Sequence, residues 1–196
     1  MNKYNVAIIC LVVAFYLFFY PSLQLSSQHI NVYPNLPAPL GKEPILFTSA
    51  GQAAENSILS NFANQLHLEG DYRPRALASD LYDYETLVIA IGYSQNGVLN
   101  TGRNFQKEQK RTITLLKEAK QRDMPILLVQ IAGKNRGNQH TQELLLSSVP
   151  YASYFLGLKN MNKRTEMIEK ISSNNIPYTL VSDLNDLKTP FNSFFR

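Results

Sequence analysis

The chain has 196 residues and a mass of 22.2 kDa, room for one ordinary domain and a short appendage. A composition that is 44% hydrophobic and 17% charged excludes a disordered chain, and ten Pro with nine Gly exclude a collagen-like repeat. Nineteen Lys+Arg against fifteen Asp+Glu leave +4, too mild to require nucleic acid as a partner, and the single cysteine, Cys10, excludes a disulfide framework and a Cys-based zinc site.

Residues 6–20 (VAIICLVVAFYLFFY) are apolar or aromatic throughout, and Lys3 precedes them. At about 1.5 Å per residue this run falls short of a hydrocarbon core of about 30 Å, and Leu23 and Leu25 extend it to a short span. Tyr16, Phe18, Phe19 and Tyr20 then form an aromatic belt at the outer interface. A signal peptide competes with this reading, but it needs small residues before its cut, and Ser26–Ser27 follow a poorly suited Leu25. Ile8 and Ile9 before Cys10 do not make a lipoprotein site. Lys3 is the only Lys or Arg before Lys42, so the expected placement is a single-pass cell-membrane protein with its N-terminus inside and its domain outside. Secretion after signal cleavage is the alternative. Residues 26–43 continue as a Pro-rich tether, in which Pro34, Pro37 and Pro39 favour an extended polyproline spacer. The expected division is therefore an anchor or signal segment at 1–25, a tether at 26–43 and one domain at 44–196.

Within that domain short apolar runs alternate with helical patterns. The runs start at Ile45, Leu87, Ile126, Ala152 and Tyr178, with Asp71–Arg73 a further short edge strand. Ala54, Ile58, Leu59, Phe62, Ala63 and Leu66 share one helical face; Phe105, Thr112, Ile113, Leu116 and Ala119 share another. Leu144–Leu146 and Met161, Thr165, Ile168 and Ile171 mark two more helices. Strand–helix alternation implies right-handed crossovers. The expected fold class is α/β: a three-layer α/β/α sandwich around a doubly wound, mostly parallel sheet, flavodoxin-like or Rossmann-like. Over residues 103–122 Arg103, Lys107, Lys110, Arg111, Lys117, Lys120 and Arg122 are offset by Glu108 and Glu118, with Asp123 just beyond. This reads as a solvated helix face with a few carboxylate pairs, or as a contact for an anionic lipid surface or an acidic membrane-protein partner. Phe105 is the single aromatic residue among these charges, so no aromatic series interleaves with them, which argues against nucleic acid.

In open α/β sheets ligands bind beyond the carboxyl ends of the strands, and three loops there have suitable chemistry. The first holds Thr48, Ser49, Gly51 and Gln52: hydroxyl donors, a glycine for close backbone approach, and a helix N-terminus that favours an anion. The second, residues 92–102 (GYSQNGVLNTG), offers Gly92, Ser94 and Gly97 and is long for a βα connection. It matches neither GxGxxG nor the P-loop, and a G-x-S-x-G elbow would need glycine where Asn96 stands. The third supplies Gly133 and the cations Lys134 and Arg136, with Arg136 the expected clamp on a carboxylate or phosphate. Catalytic groups are sparse. Of His29, His67 and His140 only His140 is placed to approach Ser94 or Ser49, and no carboxylate lies on these loops to orient it. A serine-dependent hydrolase is thus the weaker alternative, no metal or cofactor is expected, and the reading leans away from an enzyme. The leading expectation is a small polar or anionic ligand at this edge, and the alternative is a non-enzymatic interaction subunit.

Residues 44–52 (PILFTSAGQ) resemble the opening of a family of small exported bacterial domains of unknown function, which begin P-x-L-x-T-S-x-G-Q after a signal or anchor. The resemblance continues through Asp80, Leu81 and Tyr84 to Leu87, then Gly92-x-Ser94, Gly97, Gly133-x-x-Arg136, Ala152 to Tyr154 and Asn175 to Pro177. The family's third loop often carries adjacent glycines and two arginines, where this chain has Ala132, Gly133 and a lone Arg136. The resemblance implies the α/β fold and export, and brings no activity.

Overall fold

The computed structural model describes residue 36 and residues 38–132, 138–161 and 163–196. The apolar segment, most of the tether, and Gly133 to Gly137 of the third loop lie outside the described residues. Among those that are described, no helix is long and apolar enough to cross a membrane.

Six strands form one sheet: β1 (Ile45–Ala50), β2 (Gly70–Tyr72), β3 (Thr86–Ile91), β4 (Ile126–Gln130), β5 (Tyr154–Leu158) and β6 (Tyr178–Val181). Their order is β2-β1-β3-β4-β5-β6 and every pairing is parallel. This is the doubly wound order of flavodoxin-like folds with one further strand, and its switch point falls between β1 and β3. The expected α/β class is therefore the observed one. β1, β3, β4 and β5 are buried at every position because helices cover both faces, which is why they read as unbroken apolar runs.

The side-chain alternation of each strand divides the core in two. Leu46, Leu87, Ile89, Leu128 and Phe155 face α3 (Phe105–Gln121), α4 (Gln139–Ser148) and α5 (Arg164–Ser173). Ile45, Phe47, Val88, Leu127 and Leu156 face α1 (Asn56–Gln65) and α6 (Lys188–Phe195). Both clusters are built from described residues on the six strands and the helices that cover them. The short α2 (Gln95–Leu99) occupies part of the segment read as a loop. At the carboxyl edge, side chains cap three of the helices: Ser94 Oγ accepts from Gly97 N–H, Asn104 Oδ1 from Lys107 N–H and Asn138 Oδ1 from Thr141 N–H.

Two details differ from the sequence reading. The fifth strand runs from Tyr154, not Ala152, because a 3-10 turn over Val149–Tyr151 delays its start. Helix α6 was not anticipated: Phe191, Phe194 and Phe195 close the second face, and the Phe194 carbonyl accepts the N–H groups of Leu40 and Gly41. The chain thus enters the domain at the amino edge of the sheet, opposite the loops that follow β1 and β3.

Candidate carboxyl-edge site

The first two loops pack directly on each other. Gly92 N–H donates to Ala50 O at 3.0 Å and Ser94 N–H to Gly51 O at 2.8 Å. Gly51 has φ +81°, and a Cβ there would stand 2.7 Å from Gly92 O and 2.8 Å from Leu144 Cδ1. Glycine is required here for the approach of two chain segments. A Cβ on Gly97 would lie 3.0 Å from both Gln52 Cβ and Ser94 Oγ.

Several candidate groups are engaged internally. Thr48 is fully buried within β1, and its Oγ1 has no hydrogen-bond partner. Ser49 Oγ donates to Ala53 O at 2.7 Å. Ser94 has φ −112° and ψ 107°, an extended capping backbone that does not form the strained turn of a nucleophile elbow. His140 lies against Phe105 and Tyr93, with ring centroids 4.2 and 4.6 Å away, inside an aromatic cluster. Among the described residues no hydrogen bond joins His140 to either serine. Gly133 and Arg136 lie outside the described residues.

The sequence reading found no carboxylate on the loops; the structure brings one in from a helix. Glu108, in the first turn of α3, is completely buried and accepts Gly51 N–H at 3.2 Å and Gln52 Nε2–H at 3.1 Å. The N–H of the glycine expected to give a ligand close backbone approach is thus held by the chain's own carboxylate. Arg111, one turn later, donates to both Glu108 oxygens, at 3.0 Å from Nε and 2.7 Å from Nη2. Its guanidinium also donates to Ala76 O at 2.6 Å and to Ser49 O, tying β1 to the segment after β2. Arg111 and Glu108 therefore do not belong to the solvated face on which the sequence reading placed them.

Arg103, just before the cap of α3, completes the cluster. Its Nη1 is buried, lies 3.9 Å from Glu108 Oε2 and makes no hydrogen bond. Two guanidinium charges thus stand against one carboxylate, with the Arg103 side chain 25% exposed. Two further groups at this edge escaped the sequence reading. Glu55 Oε2 would lie 3.7 Å from a Cβ on Gly92, and Asn56, the first residue of α1, is fully buried with neither amide atom hydrogen-bonded. A cavity of about 640 Å³ opens between the starts of α4 and α5, lined by Gln142, Glu143 and Lys163 among others. Among the described residues no group of three His, Cys, Asp or Glu side chains could hold a metal ion.

A family described as a domain of unknown function, DUF6305, matches residues 42–195. The chain belongs to this family. The match begins beside Gly41, where the backbone is pinned to α6, and ends at Phe195 within that helix, so the DUF6305 domain includes the C-terminal element that closes the second core. No curated protein and no solved structure matches the chain.

Proposed function

We propose that this DUF6305 domain binds a small polar anion at the carboxyl edge of its sheet, held outside a membrane by an N-terminal anchor. The carrying observation is the charge balance beneath the first loop: among the described residues Arg103 and Arg111 both lie against Glu108, and Arg103 keeps a buried N–H group without a hydrogen bond. A buried donor left unmade costs about 1–3 kcal/mol. A carboxylate or phosphate on the exposed part of the Arg103 fork supplies the missing charge in the bidentate geometry that arginine favours. The N-terminus of α3, directly after Arg103, adds a favourable field. Ser94, Gln95 and Asn96 supply hydroxyl and amide groups on the neighbouring segment. Arg103 takes over the clamp role that the sequence suggested for Arg136, with Arg136 a further candidate cation. The apolar run at residues 6–20 and the single Lys3 before it support the anchor and its orientation.

Thermal unfolding of residues 36–196 against phosphorylated and carboxylated metabolites tests the site. A ligand at one hundred times its dissociation constant stabilises by about 2.7 kcal/mol, which raises the midpoint of a domain this size by about 5–10 °C. The shift is expected to vanish in Arg103→Ala. A flat screen, or a shift that persists in that variant, overturns the assignment.

A further inference from the structure

The charged residues on the outer face of α3 are all cationic. Lys107, Lys110, Lys117 and Lys120 are exposed, as are Gln106, Thr114 and Gln121 between them. At 3.6 residues per turn these positions fall in one arc of about 140°, which includes the half-buried Ile113 and no acidic residue. Glu118 lies outside the arc, with its Oε1 3.8 Å from Arg122 Nε. Among the described residues none of the four lysines is in a salt bridge. Lys107 and Lys120 stand about 20 Å apart along the helix axis.

The chain's point of entry lies at the end of this stripe. Leu40 and Lys42 line one cavity of about 420 Å³ with Tyr82, Arg122, Asp123 and Met124, the last three being the residues that immediately follow α3. A segment arriving from the tether therefore meets the domain beside the C-terminal end of the lysine stripe.

We infer that the outer face of α3 rests on a surface of anionic lipid headgroups, a step that relies on the membrane reading of residues 6–20. The residue types favour lipid over an acidic protein. Protein interfaces centre on Tyr, Trp and Arg anchors and are poor in Lys, whereas this arc offers Lys, Gln and Thr with no aromatic anchor. Lysine ammonium groups are flexible point charges that suit a layer of mobile phosphates better than one fixed bidentate partner. Each lysine near an anionic surface raises partitioning about fivefold. That attraction fades over a Debye length of about 8 Å at physiological salt, so the four must share one face to act together.

The test uses the full chain on two vesicle types, phosphatidylcholine alone and phosphatidylcholine mixed with phosphatidylglycerol. Co-flotation with the neutral vesicles reads the apolar segment by itself. Amine acetylation, resolved by mass spectrometry, reads the face. Lys107, Lys110, Lys117 and Lys120 are expected to label at least about fivefold more slowly on the anionic vesicles, the gain of a single lysine being the lower bound. Lys188, on the opposite layer, is expected to label equally on both, and high salt is expected to abolish the difference. Equal labelling of the four lysines on both vesicle types overturns the inference, while intact flotation leaves the anchor standing. Protection that appears on neutral vesicles only when membrane proteins are added assigns the face to an acidic protein, and overturns it as well. K107E/K110E/K117E changes exposed positions only, so the fold persists; Lys120 is then expected to lose its lipid-dependent protection, and its retention counts against the inference.

Discussion

Replacing Glu108 by Gln removes one charge and turns Oε2, which accepts from Arg111 Nε at 3.0 Å, into a donor. The amide oxygen still accepts from Gly51 and Gln52, while Arg111, whose side chain is 4% exposed, loses the one counter-charge it pairs with among the described residues. Removing one partner of a buried ion pair costs about 3–5 kcal/mol, because the other charge stays behind in a poor solvent. The value belongs toward the upper part of that range, since Arg103 lies 3.9 Å from the same carboxylate and two guanidinium groups lose its charge at once. For a domain of this size each kcal/mol moves the thermal midpoint by about 2–4 °C, so Glu108→Gln is expected to melt about 10 °C lower. Denaturant unfolding of the wild type, Glu108→Gln, Arg111→Met and the double variant closes a thermodynamic cycle. The double variant is expected to be less destabilised than the sum of the singles by about 1–3 kcal/mol, the signature of a coupled pair. A loss below about 1 kcal/mol for Glu108→Gln, or strict additivity, would show that Arg111 gains no stability from this carboxylate and would refute the account of the loop.

Three further substitutions probe other parts of the domain. Phe191→Ala empties a site in α6 bordered by Phe47, Phe62 and Phe195, with centroids 6.4, 6.3 and 5.4 Å away; a loss of about 3–5 kcal/mol is expected in urea unfolding. Gly51→Ala forces a Cβ to within 2.7 Å of Gly92 O at φ +81°, so the two loops must part, and both the thermal midpoint and any ligand-induced shift are expected to fall. Tyr84 donates to Asp71 Oδ2 at 2.6 Å, and burial first, with that bond second, pushes its phenol from 10.0 up to about 12. The fold thus favours the neutral phenol, a contribution that is complete below pH 10 and lost as pH rises from 10 to about 12. Tyr84→Phe is expected to lose about 1 kcal/mol at neutral pH and to show a shallower alkaline decline than the wild type; parallel declines in a pH series of denaturant titrations would contradict this origin.

The fold was legible because parallel strands covered on both faces leave a signal that needs no partner to interpret. Runs such as residues 87–91 are apolar at every position, and α1 and α3 repeat at helical spacing. Helix α6 was not recognised, although Phe191, Phe194 and Phe195 stand at i, i+3 and i+4; eight residues behind a polar run give a weak period, and Pro190 inside it reads as a breaker. At the candidate site the sequence placed the first two loops on one edge. It did not reveal that Gly51 and Gln52 were already bonded, because their partner lies more than fifty residues away. The available signal was local: Glu108 and Arg111 at i, i+3 form an ion pair whether exposed or buried, and charge counting cannot distinguish the two. Burial became readable only once α3 was docked with Leu115 and Leu116 facing the sheet, which turns Glu108 and Arg111 inward with them.

Helix α3 separates two kinds of charge by a single residue step. Lys107 and Glu108 are neighbours in sequence, as are Lys110 and Arg111, yet the first of each pair is exposed and the second buried. A step of about 100° around the axis is enough to move a side chain from screened solvent to a medium where a counter-charge is mandatory. The outer lysines therefore act through a field that salt weakens, while the Glu108–Arg111 pair is largely indifferent to it. Lysine reversals are expected to change association with anionic surfaces at unchanged stability, and Glu108 or Arg111 substitutions to change stability and the first loop at unchanged outer-face charge. A substitution of either class that alters both readouts means that α3 itself has lost its docking on the sheet. Circular dichroism at the assay temperature separates that outcome from a failure of the ligand site or of the lipid-facing stripe.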